Sequence, residues 1–153
     1  MNAFFKFWLP VLAWMALIFT ASSDAHSSQH SSRLVEPFLH WLFPKMSQPH
    51  IEDLHLGIRK CGHLTEYAVL ALLVWRALHQ SKNNLPTWSW PKVGGTLLVV
   101  FLYAATDEFH QSFVPTRTAH FSDVLIDTTG AAIALLVLRL LTLYQKRGRQ
   151  PPT

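Results

Sequence analysis

The chain alternates long apolar stretches with shorter polar connections. Four of the apolar stretches approach the roughly 20 residues that a helix needs to span a hydrocarbon core. They cover residues 4–21, 62–78, 93–113 and 123–143. Pro91 favours a helix start before the third stretch, and Pro115 favours a helix end after it. The pattern predicts an all-α fold, a four-helix transmembrane bundle that forms a single domain over residues 1–153.

The long connection at residues 22–59 carries its own helical signal. Its apolar residues recur at the spacing of one helix face. They are Leu34, Val35, Phe38, Leu39, Leu42 and Phe43. We therefore predict a long extracytoplasmic first loop that carries a short helix lying in the membrane interface. Packing of this helix against the outer ends of the bundle is an alternative that stays open.

Two other interpretations of the apolar stretches stay open. Lys6 followed by an apolar run and the segment Thr20–Ser23 also fits a cleaved signal peptide. The second and third stretches contain enough polar residues to fit helices of a soluble bundle.

Charge distribution predicts the orientation. Only 14% of the 153 residues are charged and 50% are hydrophobic, whereas a soluble domain carries about a quarter charged residues. The net charge of +4 arises from basic residues that flank apolar stretches, which indicates topology signals rather than a nucleic-acid partner. The connection 78–92 and the C-terminal tail are basic. We expect a multi-pass protein of the bacterial cytoplasmic membrane with both termini cytoplasmic.

Polar residues concentrate at the opposite, outer ends of the last three predicted helices. They recur at helical spacing within each helix, as Lys60, His63, Glu66 and Tyr67, then Asp107, Glu108, His110 and Gln111, then Asp123 and Asp127. An ionised side chain inside a bilayer costs at least about 2.5 kcal/mol, so such groups should face inward, pair or contact water. The pattern predicts a polar cavity, with ion pairs that only fix helix packing as the alternative.

Candidate roles follow from side-chain chemistry. We expect His63 or His110 to act as a general acid or base, with Glu66 or Asp107 orienting it and Glu108 adjacent. Lys60 and Arg117 would bind an anionic head. The remaining substrate-binding candidates are Tyr67, Gln111, Asp123 and Asp127. No cofactor is expected. A metal held by Asp107, His110 and Asp123 or Asp127 is an alternative, although these residues lack a recognised metal-binding spacing.

Three segments resemble the VanZ-like family of small integral membrane proteins. They are KCGHLTEYAVL at 60–70, DEFHQSFVPTR at 107–117 and DVLIDTTG at 123–130. Trp14, Phe19, Ser22 and Ser23 match a looser first-helix pattern. The resemblance covers nearly the whole chain in the expected order. Family members often carry Asn where this chain has Asp127 and Gly where it has Thr116. The resemblance implies an effect on glycopeptide susceptibility, because the member that names the family is linked to low-level teicoplanin resistance.

Three functions are compatible with these residues. The first is a hydrolase or group transferase that binds or modifies a lipid-linked cell-envelope precursor in the outer cavity. The second is a non-catalytic envelope-binding or accessory protein. The third is a proton-coupled carrier, which four helices would perform as a homodimer through the small residues Gly130, Ala131, Ala132 and Ala134. Membrane lipid is the expected partner in each case, and nucleic acid is not.

Overall fold

All regular structure in the described part of the chain is helical. The computed structural model describes residues 3–23, 27–79, 88–114 and 120–147. Its five helices are α1 (Ala3–Ser23), α2 (Ser27–Leu42), α3 (Gln48–His79), α4 (Trp90–Gln111) and α5 (Phe121–Arg147). The all-α prediction is confirmed at this level.

Helix α3 departs most from the sequence prediction. We predicted its start at Gly62 after a long loop, but α3 begins at Gln48 and α2 occupies much of the remaining connection. The predicted start was wrong because the end of an apolar stretch marks the end of a membrane span and not the end of a helix. A helix closes its hydrogen bonds internally and continues through polar sequence. Ile51 and His55, one turn apart, are buried in this added half. Leu39 of α2, which packs on α3, is buried too.

The other helix limits differ by a few residues. α1 and α5 are slightly longer than the predicted stretches 4–21 and 123–143. α4 ends at Gln111 and not at residue 113, because the backbone N–H of Ser112 and the residues after it turn back onto the last carbonyls of the helix.

Helix α1 runs antiparallel to α3. Near one end of the bundle, the Arg76 guanidinium lies 5.4 Å from the centre of the Phe7 ring. Further along, the Trp14 indole N–H donates to the Glu66 carbonyl oxygen at 2.9 Å. Residue numbers rise along α1 as they fall along α3, so the two helices point in opposite directions.

Helix α5 runs parallel to α3 and touches it closely. Lys60 lies beside Asp123, and Leu64 lies beside Gly130. A Cβ atom added to Gly130 would clash with the Leu64 carbonyl oxygen. Gly130 therefore permits the close approach of the two backbones. Gly130 and Ala131 are buried within the chain, so these two residues of the predicted dimer surface serve the fold itself.

Helix α4 completes an alternating arrangement. It runs parallel to α1, since the Tyr103 hydroxyl donates to the Met15 carbonyl oxygen and Asp107 contacts Ser22. It runs antiparallel to α5, whose Arg139 lies over the Trp88 ring just before α4. Helices α1, α3, α4 and α5 thus alternate in direction around one apolar core.

The outer surface of these four helices is also apolar. Large hydrophobic side chains point away from the core on every one of them, among them Leu9, Leu12, Leu72, Leu98, Leu102, Phe109, Ile133, Leu136 and Leu140. By length and composition, two of the described helices can cross a membrane, at Phe4–Ser22 and Phe121–Arg147. The predicted spans at 62–78 and 93–113 are not in this pair.

Candidate functional site

A polar cavity of about 330 Å³ lies at one end of the bundle, where α4 ends, α5 begins and α3 continues past both. All three helices contribute to its wall. The lining residues are Leu56, Arg59, Lys60, His63, Glu108, Gln111, His120, Ser122, Asp123, Ile126 and Asp127. Helix α3 supplies the first four of these, and three of the four precede its predicted start at Gly62.

Two basic side chains of α3 line the cavity, and only one of them lies near an acidic side chain of the described residues. The Lys60 Nζ atom lies 3.6 Å from Asp123 Oδ1, and both side chains are well exposed. Solvent screening makes such a pair weak. Arg59 is half-buried and forms no ion pair with any residue in the described ranges. Its guanidinium is therefore a positive charge that the described residues leave available to a ligand.

His63 provides an acid–base group on the same wall. Its Nδ1 atom lies 3.6 Å from Glu66 Oε2, one helical turn further along α3. Glu66 does not itself line the cavity. Trp14 of α1 bonds to the Glu66 backbone and so fixes this turn of α3. At this separation the carboxylate acts on the imidazole through charge, while the imidazole faces the cavity.

Two buried carboxyl groups line the cavity from the opposite helices. Glu108 Oε1 accepts the backbone N–H of His120 at 2.5 Å, which ties the start of α5 to the end of α4. Asp127 is only 5% exposed, and no side chain or backbone group in the described ranges donates a hydrogen bond to it. Its electrostatic neighbours include Asp107, Glu108 and Asp123, which are all acids.

Asp107 lies behind the cavity wall in a hydrogen-bond network that joins three helices. Its Oδ2 atom accepts bonds from Ser22 of α1 at 2.9 Å, Tyr67 of α3 at 3.3 Å and Gln111 of α4 at 2.9 Å. Its Oδ1 atom is buried and has no hydrogen-bond partner among the described residues. Gln111 also lines the cavity, so it connects this network to the site.

Comparison with known proteins identifies the chain. Residues 7–142 match the family model described as VanZ/LLP1. This chain is a member of the VanZ/LLP1 family. No curated protein and no solved structure matched it. Family membership and the two long apolar helices indicate a membrane protein.

The structure brings together six of the predicted site residues of this VanZ/LLP1 protein around the cavity. They are Lys60, His63, Glu108, Gln111, Asp123 and Asp127. Glu66, Tyr67 and Asp107 lie behind the wall and contact it through hydrogen bonds or charge. Arg117 lies outside the described residues.

His110 does not join the site. Its ring packs against Phe19 of α1 at a centroid distance of 4.5 Å, and it is not part of the cavity lining. His110 and Gln111 are adjacent in sequence, so they point about 100° apart on the helix. The spacing of His110 from Asp107 gave no information on which neighbouring helix it would face. Nor do the described residues contain any group of three His, Cys, Asp or Glu side chains able to hold a metal, including the predicted set with His110.

Sequence reasoning missed four polar residues of the site. Arg59 lies one turn before His63 and shares its face, a relationship that was hidden because α3 was predicted to begin at Gly62. His120 and Ser122 flank the first residue of α5, which was predicted to begin at Asp123. Ser22 was noted only as part of a loose pattern, and its bond to Asp107 depends on the packing of α1 against α4.

Proposed function

We propose that this VanZ/LLP1 protein spans the membrane with helices α1, α3, α4 and α5, with both termini cytoplasmic. The alternating helix directions and the apolar outer surface support this arrangement. Basic side chains at the end opposite the cavity support the orientation, since cytoplasmic segments are rich in Lys and Arg. They include Arg76, Lys92, Arg139, Lys146 and Arg147. The cavity then opens at the extracytoplasmic face.

The amphipathic helix α2 would lie in the outer interface. Leu39 is buried on the α3 side, while Leu34, Phe38 and Trp41 are exposed at i, i+4 and i+7. A helix with one apolar face left uncovered binds the boundary between headgroups and acyl chains. In this position α2 lies beside the half of α3 that carries Arg59.

The protein binds the polar head of a lipid-linked cell-envelope component and acts on it as a hydrolase or group transferase. One observation carries this proposal: a single cavity at the end of an apolar bundle combines Arg59 with the His63–Glu66 pair. The guanidinium would bind an anionic head, for which its planar donors are well suited. His63 would take a proton from the attacking hydroxyl or water and return it to the leaving group, with Glu66 orienting the ring.

Binding is tested with the purified full-length protein in nanodiscs loaded with envelope lipid extract, using native mass spectrometry to identify retained lipids. We expect selective retention of an anionic envelope lipid, weakened about tenfold by Arg59→Gln. Arg33→Gln is the matched control, because Arg33 is an exposed arginine on α2 and does not line the cavity. Equal loss in both variants, or retention unaffected by either, would refute the proposed head-binding role of the cavity.

Turnover is tested on the retained lipid by following its mass with time. Loss of the general base costs about 10²–10⁴-fold in rate, so His63→Gln should abolish measurable conversion while binding persists. Glu66→Gln should lower the rate less, because it only disturbs the orientation of the ring.

A teicoplanin susceptibility assay separates catalysis from binding alone. A catalytic role predicts that resistance conferred by the protein is lost in both His63→Gln and Arg59→Gln. If resistance survives His63→Gln and Glu66→Gln but is lost in Arg59→Gln, the protein is a non-catalytic envelope-binding protein, and the enzyme assignment is wrong.

A further inference from the structure

The polar groups of the cavity are layered by depth. On α3, Arg59 and Lys60 lie about one turn outside His63. On α5, Asp127 lies four residues further into the bundle than Asp123, which corresponds to about 6 Å. On α4, which runs the other way, Glu108 is likewise deeper than Gln111. The mouth of the cavity is therefore basic and its floor carries two carboxyl groups.

Asp127 forms the α5 side of this floor. Only 5% of its surface is exposed, it lines the cavity, and no donor in the described ranges bonds to it. Buried polar groups normally have hydrogen-bond partners, because leaving such a group without a hydrogen bond costs about 1–3 kcal/mol. The carboxyl group faces the cavity, so a molecule bound there can donate hydrogen bonds to it.

The charge pattern narrows the chemistry of that molecule. A bare anion would find Arg59 at the mouth but no basic side chain among the described residues of the floor, where Glu108 and Asp127 lie. A bare cation would meet the reverse arrangement. A compound with a phosphate at one end and hydrogen-bond donors at the other satisfies both layers.

The size of the cavity limits the head further. A volume of about 330 Å³ is at the low end of the roughly 300–1,000 Å³ range of small-molecule pockets. A cavity of this size holds one compact group joined to a phosphate.

We propose that the cavity recognises a phosphate ester of a single compact donor-bearing group, with the phosphate at Arg59 and Lys60 and the donors on Asp127 and Glu108. This inference rests on the proposed function, since it names the class of head that the lipid presents. Sugar hydroxyls and the ammonium of phosphoethanolamine both supply such donors, and they share this chemistry.

The test uses isothermal titration calorimetry on the full-length protein in nanodiscs with four soluble probes: glucose 1-phosphate, phosphoethanolamine, inorganic phosphate and glucose. At least one of the two esters should bind roughly tenfold more tightly than either inorganic phosphate or glucose. Tight binding of glucose 1-phosphate assigns the donors to hydroxyls, and tight binding of phosphoethanolamine assigns them to an ammonium.

The variants separate the two layers. Asp127→Asn should remove most of the preference for the ester over inorganic phosphate, and Arg59→Gln should remove the preference over glucose. Asp53→Asn and Arg33→Gln are the matched controls, because both residues are exposed and lie outside the cavity lining. Glu108→Gln reports on the same floor if the Asp127 variant does not fold.

Equal affinity for inorganic phosphate and both esters would overturn the inference, as would an ester preference that survives both Asp127→Asn and Glu108→Gln. Either result, obtained while Arg59-dependent lipid binding persists, leaves the proposed function standing. Absence of that lipid binding in the wild-type protein would instead contradict the proposed function itself.

Discussion

The hydroxyl of Ser22, in the last turn of α1, donates a 2.9 Å hydrogen bond to the carboxylate of Asp107 on α4, across 85 residues of sequence. Tyr67 of α3 donates to the same Oδ2 atom. This carboxylate therefore holds three helices together directly behind the cavity wall. Its contribution can be measured separately from that of the cavity.

Removing either donor should destabilise the bundle. Ser22→Ala and Tyr67→Phe each delete one hydrogen bond to a buried carboxylate, and we expect each to lower the free energy of unfolding by about 1–3 kcal/mol. Denaturant or thermal unfolding in detergent measures this loss. Thr20→Ala is the control, because the Thr20 hydroxyl is exposed and bonds only to a carbonyl of its own helix. Equal effects of Ser22→Ala and Thr20→Ala would contradict a structural role for the Ser22–Asp107 bond.

A double-mutant cycle should show that Ser22 and Asp107 are coupled. Residues in direct contact show interaction free energies of about 0.5–3 kcal/mol. Combining Ser22→Ala with Asp107→Ala, which removes the acceptor altogether, should therefore destabilise the protein less than the sum of the two single substitutions. Strict additivity, measured by the same unfolding assay, would mean that the bond is not formed in the membrane protein.

The contact between Gly130 and Leu64 predicts a severe effect of one methyl group. In Gly130→Ala the new Cβ would meet the Leu64 backbone, which cannot rotate away as a side chain can. We expect α3 and α5 to separate, at a cost of about 1–3 kcal/mol in unfolding free energy. Gly94→Ala on α4 has open space around its Cβ and should be neutral or slightly stabilising, since alanine favours a helix. A Gly130→Ala protein as stable as the Gly94→Ala protein would contradict the close contact between α3 and α5.

Cys61 offers a test of the proposed orientation. Its thiol is exposed, and it lies on α3 beside the cavity mouth. A membrane-impermeant maleimide should label it when added to cells whose cytoplasmic membrane is intact and whose outer envelope layers have been removed. A Cys61→Ser, Tyr144→Cys protein is the control: Tyr144 is 78% exposed near the end of α5, and its replacement should react only after the cytoplasmic face is opened. The reverse labelling pattern would invert the topology.

Much of the site was predictable from spacing within single helices. The period of about 3.6 residues placed Lys60, His63 and Glu66 on neighbouring faces of α3 and Asp123 above Asp127 on α5. These relationships hold in the structure because they depend only on local geometry. The same reasoning placed His110 in the site, but its i, i+3 relation to Asp107 does not determine which other helix it faces.

The sequence by itself determined that this chain is helical, where its apolar stretches lie and which polar residues interrupt them, because helix periodicity and side-chain polarity are local properties. Only the tertiary structure decided which of those residues meet. The rotation of each helix about its axis follows from packing between distant segments, such as Gly130 against Leu64 and Ser22 against Asp107. That packing exposed Arg59 to the cavity, turned His110 towards α1 and left Asp127 buried at the cavity floor without a donor from the described residues.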